Sequence, residues 1–142
     1  MTDQDVLGGF VLDGPALAVL GGETNIYATT WADHAAVRGI VLLIPAAALS
    51  EAWQQLRRAG DDHDGQMREL LASPMIVVEA LDAAAAGLAG DVVRGRDIDP
   101  DVAAAHVVTC ARSRNWPVLS ADPDRLRRLD PDLTVEALPG MS

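Results

Sequence analysis

The sequence predicts a single α/β domain over residues 1–142, a three-layer α/β/α sandwich around a mainly parallel five-stranded sheet. Short apolar, β-branched runs alternate along the chain with longer Ala- and Leu-rich segments, and such alternation requires parallel strands joined by right-handed crossovers. The length of 142 residues suits one core. A composition 49% hydrophobic but only 4% aromatic calls for layers of Ala, Val, Leu and Ile packed on a sheet.

The elements follow in order. Gly9 to Leu12 reads as a strand running through Asp13 into a helix that starts near Gly14-Pro15, where proline's missing N–H costs nothing. Gly21-Gly22 closes that helix, and Thr24 to Arg38 reads as a second, with Glu23 or Thr24 near its start. Ile40 to Ile44 is the continuous apolar run of a strand buried on both faces, ended by Pro45. From Ala46 to Ala59, Leu49, Ala52, Trp53 and Leu56 recur at helical spacing, with Glu51 off that stripe. Gly60 to Gly65 reads as an acidic turn and Gln66 to Ala72 as a short helix stopped by Ser73-Pro74. Met75 to Val78 gives a third strand, and Leu81 to Val93 a helix with Asp82 near its start. Another helix runs to Arg114, with Asp99 as the expected N-cap and Pro100 at its first position. Trp116 to Ser120 is a fourth strand, Asp124 to Leu129 a short helix, and Leu133 to Leu138 a fifth strand.

The charge balance narrows the function. Eleven basic residues stand against 21 acidic ones, for a net charge of −10, so phosphate-backbone binding by charge alone is disfavoured and a nucleic-acid ligand would need a divalent cation. All the cations are Arg, and the lack of Lys excludes a Walker P-loop, Schiff-base chemistry and the haloacid-dehalogenase type of phosphatase. Cys110 stands alone, so it forms no internal disulfide, has no second thiol for a sulfur-ligated zinc site, and reads as a small buried hydrophobe on a helix. No charge-free window of about twenty apolar residues occurs, and Met-Thr-Asp-Gln-Asp lacks the pattern of a secretion signal. A cytoplasmic location without membrane contact is expected.

In open parallel sheets ligands gather beyond the carboxyl ends of the strands, near the point where strand order reverses. Asp13 follows the first strand, Glu51 lies on the helix after the second, and Asp122 and Asp124 follow the fourth. Converging carboxylates suit a hard cation, Mg²⁺ or Mn²⁺, which would hold a phosphodiester and activate a water, as in a nuclease. Each residue also has a plain reading: Asp13 as a helix cap, Glu51 as a solvated helix residue, Asp122-Pro123-Asp124 as a turn and cap.

These segments, in this order, resemble the PIN-domain family, which includes VapC-type toxins. Val11-Leu12-Asp13-Gly14-Pro15-Ala16-Leu17 resembles the family's first motif, Ile44 to Glu51 its second, and Val118 to Leu126 its last. The resemblance covers nearly the whole chain. It implies a metal-dependent ribonuclease fold with Asp13, Glu51 and Asp122 as metal ligands and Asp124 as a further catalytic acid. It also implies RNA as substrate, a small antitoxin as partner, and a homodimer.

Two positions depart from the family pattern. Ala104 stands where a third acid is expected, and Pro15 where a small polar residue supports the first Asp. The site therefore lacks one ligand and one hydroxyl, which lowers metal affinity and weakens control of the attacking water. Asp101 lies one turn before Ala104 on roughly the same face, where it either substitutes for the acid or serves the helix dipole. His106 faces elsewhere and reads as a histidine packed at the sheet or partly exposed. Phosphate contacts would have to come from Arg112, Arg114, Arg125, Arg127 and Arg128, most of which read first as a solvated face or as helix C-terminal charge; Arg125 is the leading candidate for substrate contact and Ser120 a second. Trp31, Trp53 and Trp116 are too scattered for a base-stacking platform and read as packing residues, Trp53 also as a subunit contact.

The expected function is thus a PIN-like ribonuclease weakened or silenced at Ala104; the alternative is a catalytically inactive binding or regulatory module on the same fold. A nucleotide-binding module is disfavoured, because Gly8-Gly9 precedes its strand and Gly21-Gly22 follows a helix.

Overall fold

The computed structural model describes residues 8–22, 26–60 and 64–138. Along the chain run β1 (Gly9–Leu12), α1 (Gly14–Gly21), α2 (Ile26–Val37), β2 (Val41–Pro45), α3 (Ala46–Arg58) and α4 (Asp64–Leu71). Then come β3 (Ile76–Glu79), α5 (Ala83–Asp91), α6 (Val102–Arg114), β4 (Val118–Ser120), α7 (Pro123–Leu129) and β5 (Val135–Ala137). The five strands form one sheet in the order β3-β2-β1-β4-β5, and every pairing is parallel. The α/β class is as the sequence predicts.

Two apolar layers sandwich the sheet because its residues alternate in facing. Val11, Leu43 and Val118 point into one layer with Ala105, Val108 and Leu126, while Leu12, Leu42 and Leu119 point into the other with Leu17, Ala52 and Met67. The central strands β1, β2 and β4 are therefore apolar on both faces, and the edge strand β3 leaves Val77 and Val78 half exposed.

The boundaries differ from expectation in specific ways. The last long helix, α6, begins at Val102 with Asp101 as its N-cap, not at Pro100 with Asp99. Asp101 accepts from the Ala104 N–H at 3.1 Å, and the Asp99-Pro100 pair precedes the helix as loop. At its other end Asn115 adopts a left-handed conformation, φ 56°, and closes the helix. Part of the expected acidic turn is helical, since α4 starts at Asp64, and residues 61–63, like Glu23 and Thr24, lie outside the described residues.

Strand order reverses between β1 and β4: β2 and β3 extend the sheet on one side, β5 on the other. The loops after β1 and β4 thus diverge around a crevice at the carboxyl ends of the strands, into which the amino ends of α1 and α7 open.

Candidate active site

Asp13 leaves β1 at the floor of this crevice. As N-cap of α1 it accepts the Ala16 N–H on Oδ1 at 2.8 Å, and its Oδ2 accepts a short hydrogen bond from the Ser120 hydroxyl. Ser120 Oγ in turn accepts from the Asp122 N–H at 2.8 Å, tying β1 to the turn after β4. Asp13 is only 2% exposed and Ser120 is fully buried. Burial raises the Asp13 carboxyl above its ordinary value, against the opposing hydrogen bonds from Ser120, Ala16 and Ala121 and the charge of Arg125. Ser120 therefore positions Asp13 and the turn.

Glu51 comes to the same place from α3. An added Cβ at Gly14 would collide with the Glu51 carboxylate, so the bare glycine after Asp13 is what lets that carboxylate lie over the start of α1. Both Glu51 oxygens are engaged by Arg125 of α7, Nη1 to Oε1 at 3.0 Å and Nη2 to Oε2 at 2.6 Å. The same guanidinium reaches Asp101 through Nε to Oδ2 and Nη2 to Oδ1, each at 2.8 Å. The side chains are 17% exposed for Arg125, 23% for Glu51 and 28% for Asp101. A planar guanidinium thus stands forked between two carboxylates, the geometry in which such pairs are strongest. Hydrogen bonds from Arg125 hold Asp101 below the usual carboxylate range, and Arg125 itself is held further above its ordinary value, first by Asp101 and, despite its burial, by Glu51.

Of the sequence candidates, the fold brings Asp13, Glu51 and Arg125 together, with Asp122 at the rim. Asp122 is exposed, and Asp124 points outward with a side chain 92% exposed and 3.6 Å from Arg127. Asp101 joins the cluster through Arg125, while Ala104 is buried beside it with no acid to offer. Arg112 faces Asp130 and Arg114 faces Glu79. His106 is fully buried at the sheet. Sequence reasoning, which named Arg125 as a candidate for phosphate contact, did not foresee its pairing with Glu51 and Asp101; the available signal was an Arg after Asp122 in a chain with Ala at 104.

The donor set can be tested against a hard divalent ion. Such an ion takes oxygen ligands in close, near-octahedral geometry. Here all four oxygens of Glu51 and Asp101 are bonded to a guanidinium, and both oxygens of Asp13 receive protein donors. As arranged, Glu51 and Asp101 would hold Mg²⁺ or Mn²⁺ only if the ion displaced Arg125. The crevice already holds a cation of its own.

No protein-family profile matches the sequence, and no curated protein matches it. Solved structures do. The Mycobacterium tuberculosis toxin VapC20, described as cleaving the sarcin-ricin loop, superposes with a TM-score of 0.60 at 19% identity, covering 80% of this chain and 88% of its own. VapBC2 of Rickettsia felis, bound to a DNA fragment from its promoter, gives a TM-score of 0.65 at 12% identity over 90% of this chain and 97% of the matched chain. DNA-bound VapBC of Salmonella typhimurium gives 0.60 at 15% identity over 93% and 99%. The chain therefore has the PIN-like fold of the VapC toxins.

Proposed function

We propose that this chain is a VapC-like PIN-domain protein in which metal-dependent RNA hydrolysis is silenced and the fold serves as a homodimeric binding or regulatory module. The observation that carries the reading is Arg125, forked between Glu51 and Asp101 where the family-like acids converge. Ala104 supports it, because a crevice short of one acid and supplied with an internal cation has little attraction left for a divalent ion. The net charge of −10 disfavours RNA as a ligand held without metal and favours a basic protein partner, such as a small antitoxin of the kind found in VapBC complexes.

Purified protein incubated with single-stranded RNA and Mn²⁺ tests the reading. Wild type is expected to cleave no faster than Asp13→Asn; cleavage that Asp13→Asn abolishes would overturn it. A second reading, a Mg²⁺- or Mn²⁺-dependent ribonuclease of reduced activity, draws on the convergence of Asp13 and Glu51 at one end of the sheet with Asp122 at its rim. It predicts residual cleavage by wild type and recovery in Ala104→Asp combined with Arg125→Ala.

A further inference from the structure

Outside the acidic crevice, Glu79, His106 and Cys110 bring one ligand atom each to within 4.8 Å of one another. Topology assembles them: Glu79 ends the edge strand β3, and His106 and Cys110 lie one turn apart on the face of α6 packed against the sheet. His106 and Cys110 are fully buried, whereas the Glu79 side chain is 29% exposed and gives the cluster a way out to solvent.

The polar bonding of the cluster is incomplete. The Cys110 thiol donates to Glu79 Oε2 at 2.9 Å, and Arg114 donates to Glu79 Oε1 at 2.6 Å. His106 Nδ1 receives the Ala47 N–H only at 3.4 Å, and Nε2 is buried without a hydrogen-bond partner among the described residues. The Ala80 carbonyl is close enough to favour protonation of the ring but does not complete a bond with Nε2. Burial keeps the imidazole below its ordinary value, so the ring is neutral, the form that ligates metals. A buried ring nitrogen left unmatched, on a histidine grouped with a thiol and a carboxylate, calls for an occupant.

We propose that Glu79, His106 and Cys110 form a binding site for one divalent ion of borderline softness, of the Zn²⁺ type. Mixed sulfur, nitrogen and oxygen donors select such an ion over Mg²⁺. Binding replaces the thiol proton shared between Sγ and Oε2 with the metal and releases that proton to solvent. Burial and Glu79 both hold the thiol in its protonated form, so uptake is favoured as pH rises. Arg114 stays on Oε1 and orients the ligating carboxylate, as outer partners do at metal centres. Ligation by Nε2 moves the ring proton to Nδ1 and gives up the long contact from Ala47. Three protein ligands leave a fourth position for solvent, on the Glu79 side.

Titration of the metal-stripped full chain with Co²⁺, followed by absorbance, tests the proposal, because a thiolate charge-transfer band appears only with a cobalt–sulfur bond. Calorimetry with Zn²⁺ in buffers of different ionisation enthalpy gives stoichiometry and proton release. The expected result is one ion per chain, a thiolate band, release of about one proton, and binding at least about tenfold weaker in Cys110→Ala and His106→Gln. Asp13→Asn is expected to leave Zn²⁺ affinity unchanged, which separates this site from the crevice and from the function proposed above. Absence of the wild-type cobalt–thiolate band overturns the proposal, whether or not the variants fold. So does Zn²⁺ binding that persists in Cys110→Ala and disappears in Asp13→Asn.

Discussion

At the scale of the residue, Arg125 decides the character of the crevice. Removing it leaves two partly buried carboxylates facing each other, and Arg125→Ala is expected to cost about 2 kcal/mol at neutral pH, below the usual cost of breaking a fully buried pair because the cluster is partly solvated. Urea denaturation measures this. Asp101 has a depressed carboxyl value in the fold, so its stabilising contribution is complete above the ordinary value of 3.8 and is lost as pH falls through the lower folded value. The difference between wild type and Arg125→Ala should therefore shrink below about pH 4. Asp13 behaves oppositely. Its folded value is raised, so the carboxylate penalises the fold increasingly as pH climbs from 3.8 through the folded value. Asp13→Asn keeps an acceptor for the Ala16 N–H without that charge and is expected to match or exceed wild-type stability at pH 7, whereas Asp13→Ala loses the cap at a cost of about 1 kcal/mol. Equal losses in both variants would contradict this account of Asp13.

At the scale of the element, the crevice depends on how closely α1 and α3 approach. Gly14→Ala would push Glu51 off α1 and loosen its grip on Arg125, with an expected loss of about 1–3 kcal/mol from overcrowding. A thermal melt beside Arg125→Ala checks it, and the double variant should lose less than the sum because both changes break the same pair. The elements themselves were legible where apolar runs are long: the strands at Val41–Pro45 and Val118–Ser120 need no partner information to be read. The start of α6 was not. Asp99-Pro100 carries the stronger local start signal, but Asp101 is held by Arg125 from a different helix, and that tertiary bond places the cap two residues later. Local rules do not see a partner 24 residues away.

At the scale of the whole molecule, the parallel order β3-β2-β1-β4-β5 does two jobs. Its reversal between β1 and β4 gathers Asp13 and Glu51 at one crevice. The outer position of β3 carries Glu79 to His106 and Cys110, a meeting with no trace in sequence beyond the four-residue spacing of the last two. The fold was thus readable from alternation and motif order, while the content of the crevice was not, because Arg125 and Glu51 lie 74 residues apart and their pairing depends on side-chain geometry. On the function proposed above, Arg125 neutralises the crevice from within. The most direct test is calorimetric titration of the wild-type chain with Mg²⁺, a hard ion suited to oxygen donors, compared with Ala104→Asp combined with Arg125→Ala. No saturable binding at millimolar Mg²⁺ is expected in the wild type and binding of one ion in the variant; saturable uptake by the wild type, lost in Asp13→Asn, would overturn the reading of Arg125 as an internal counter-ion.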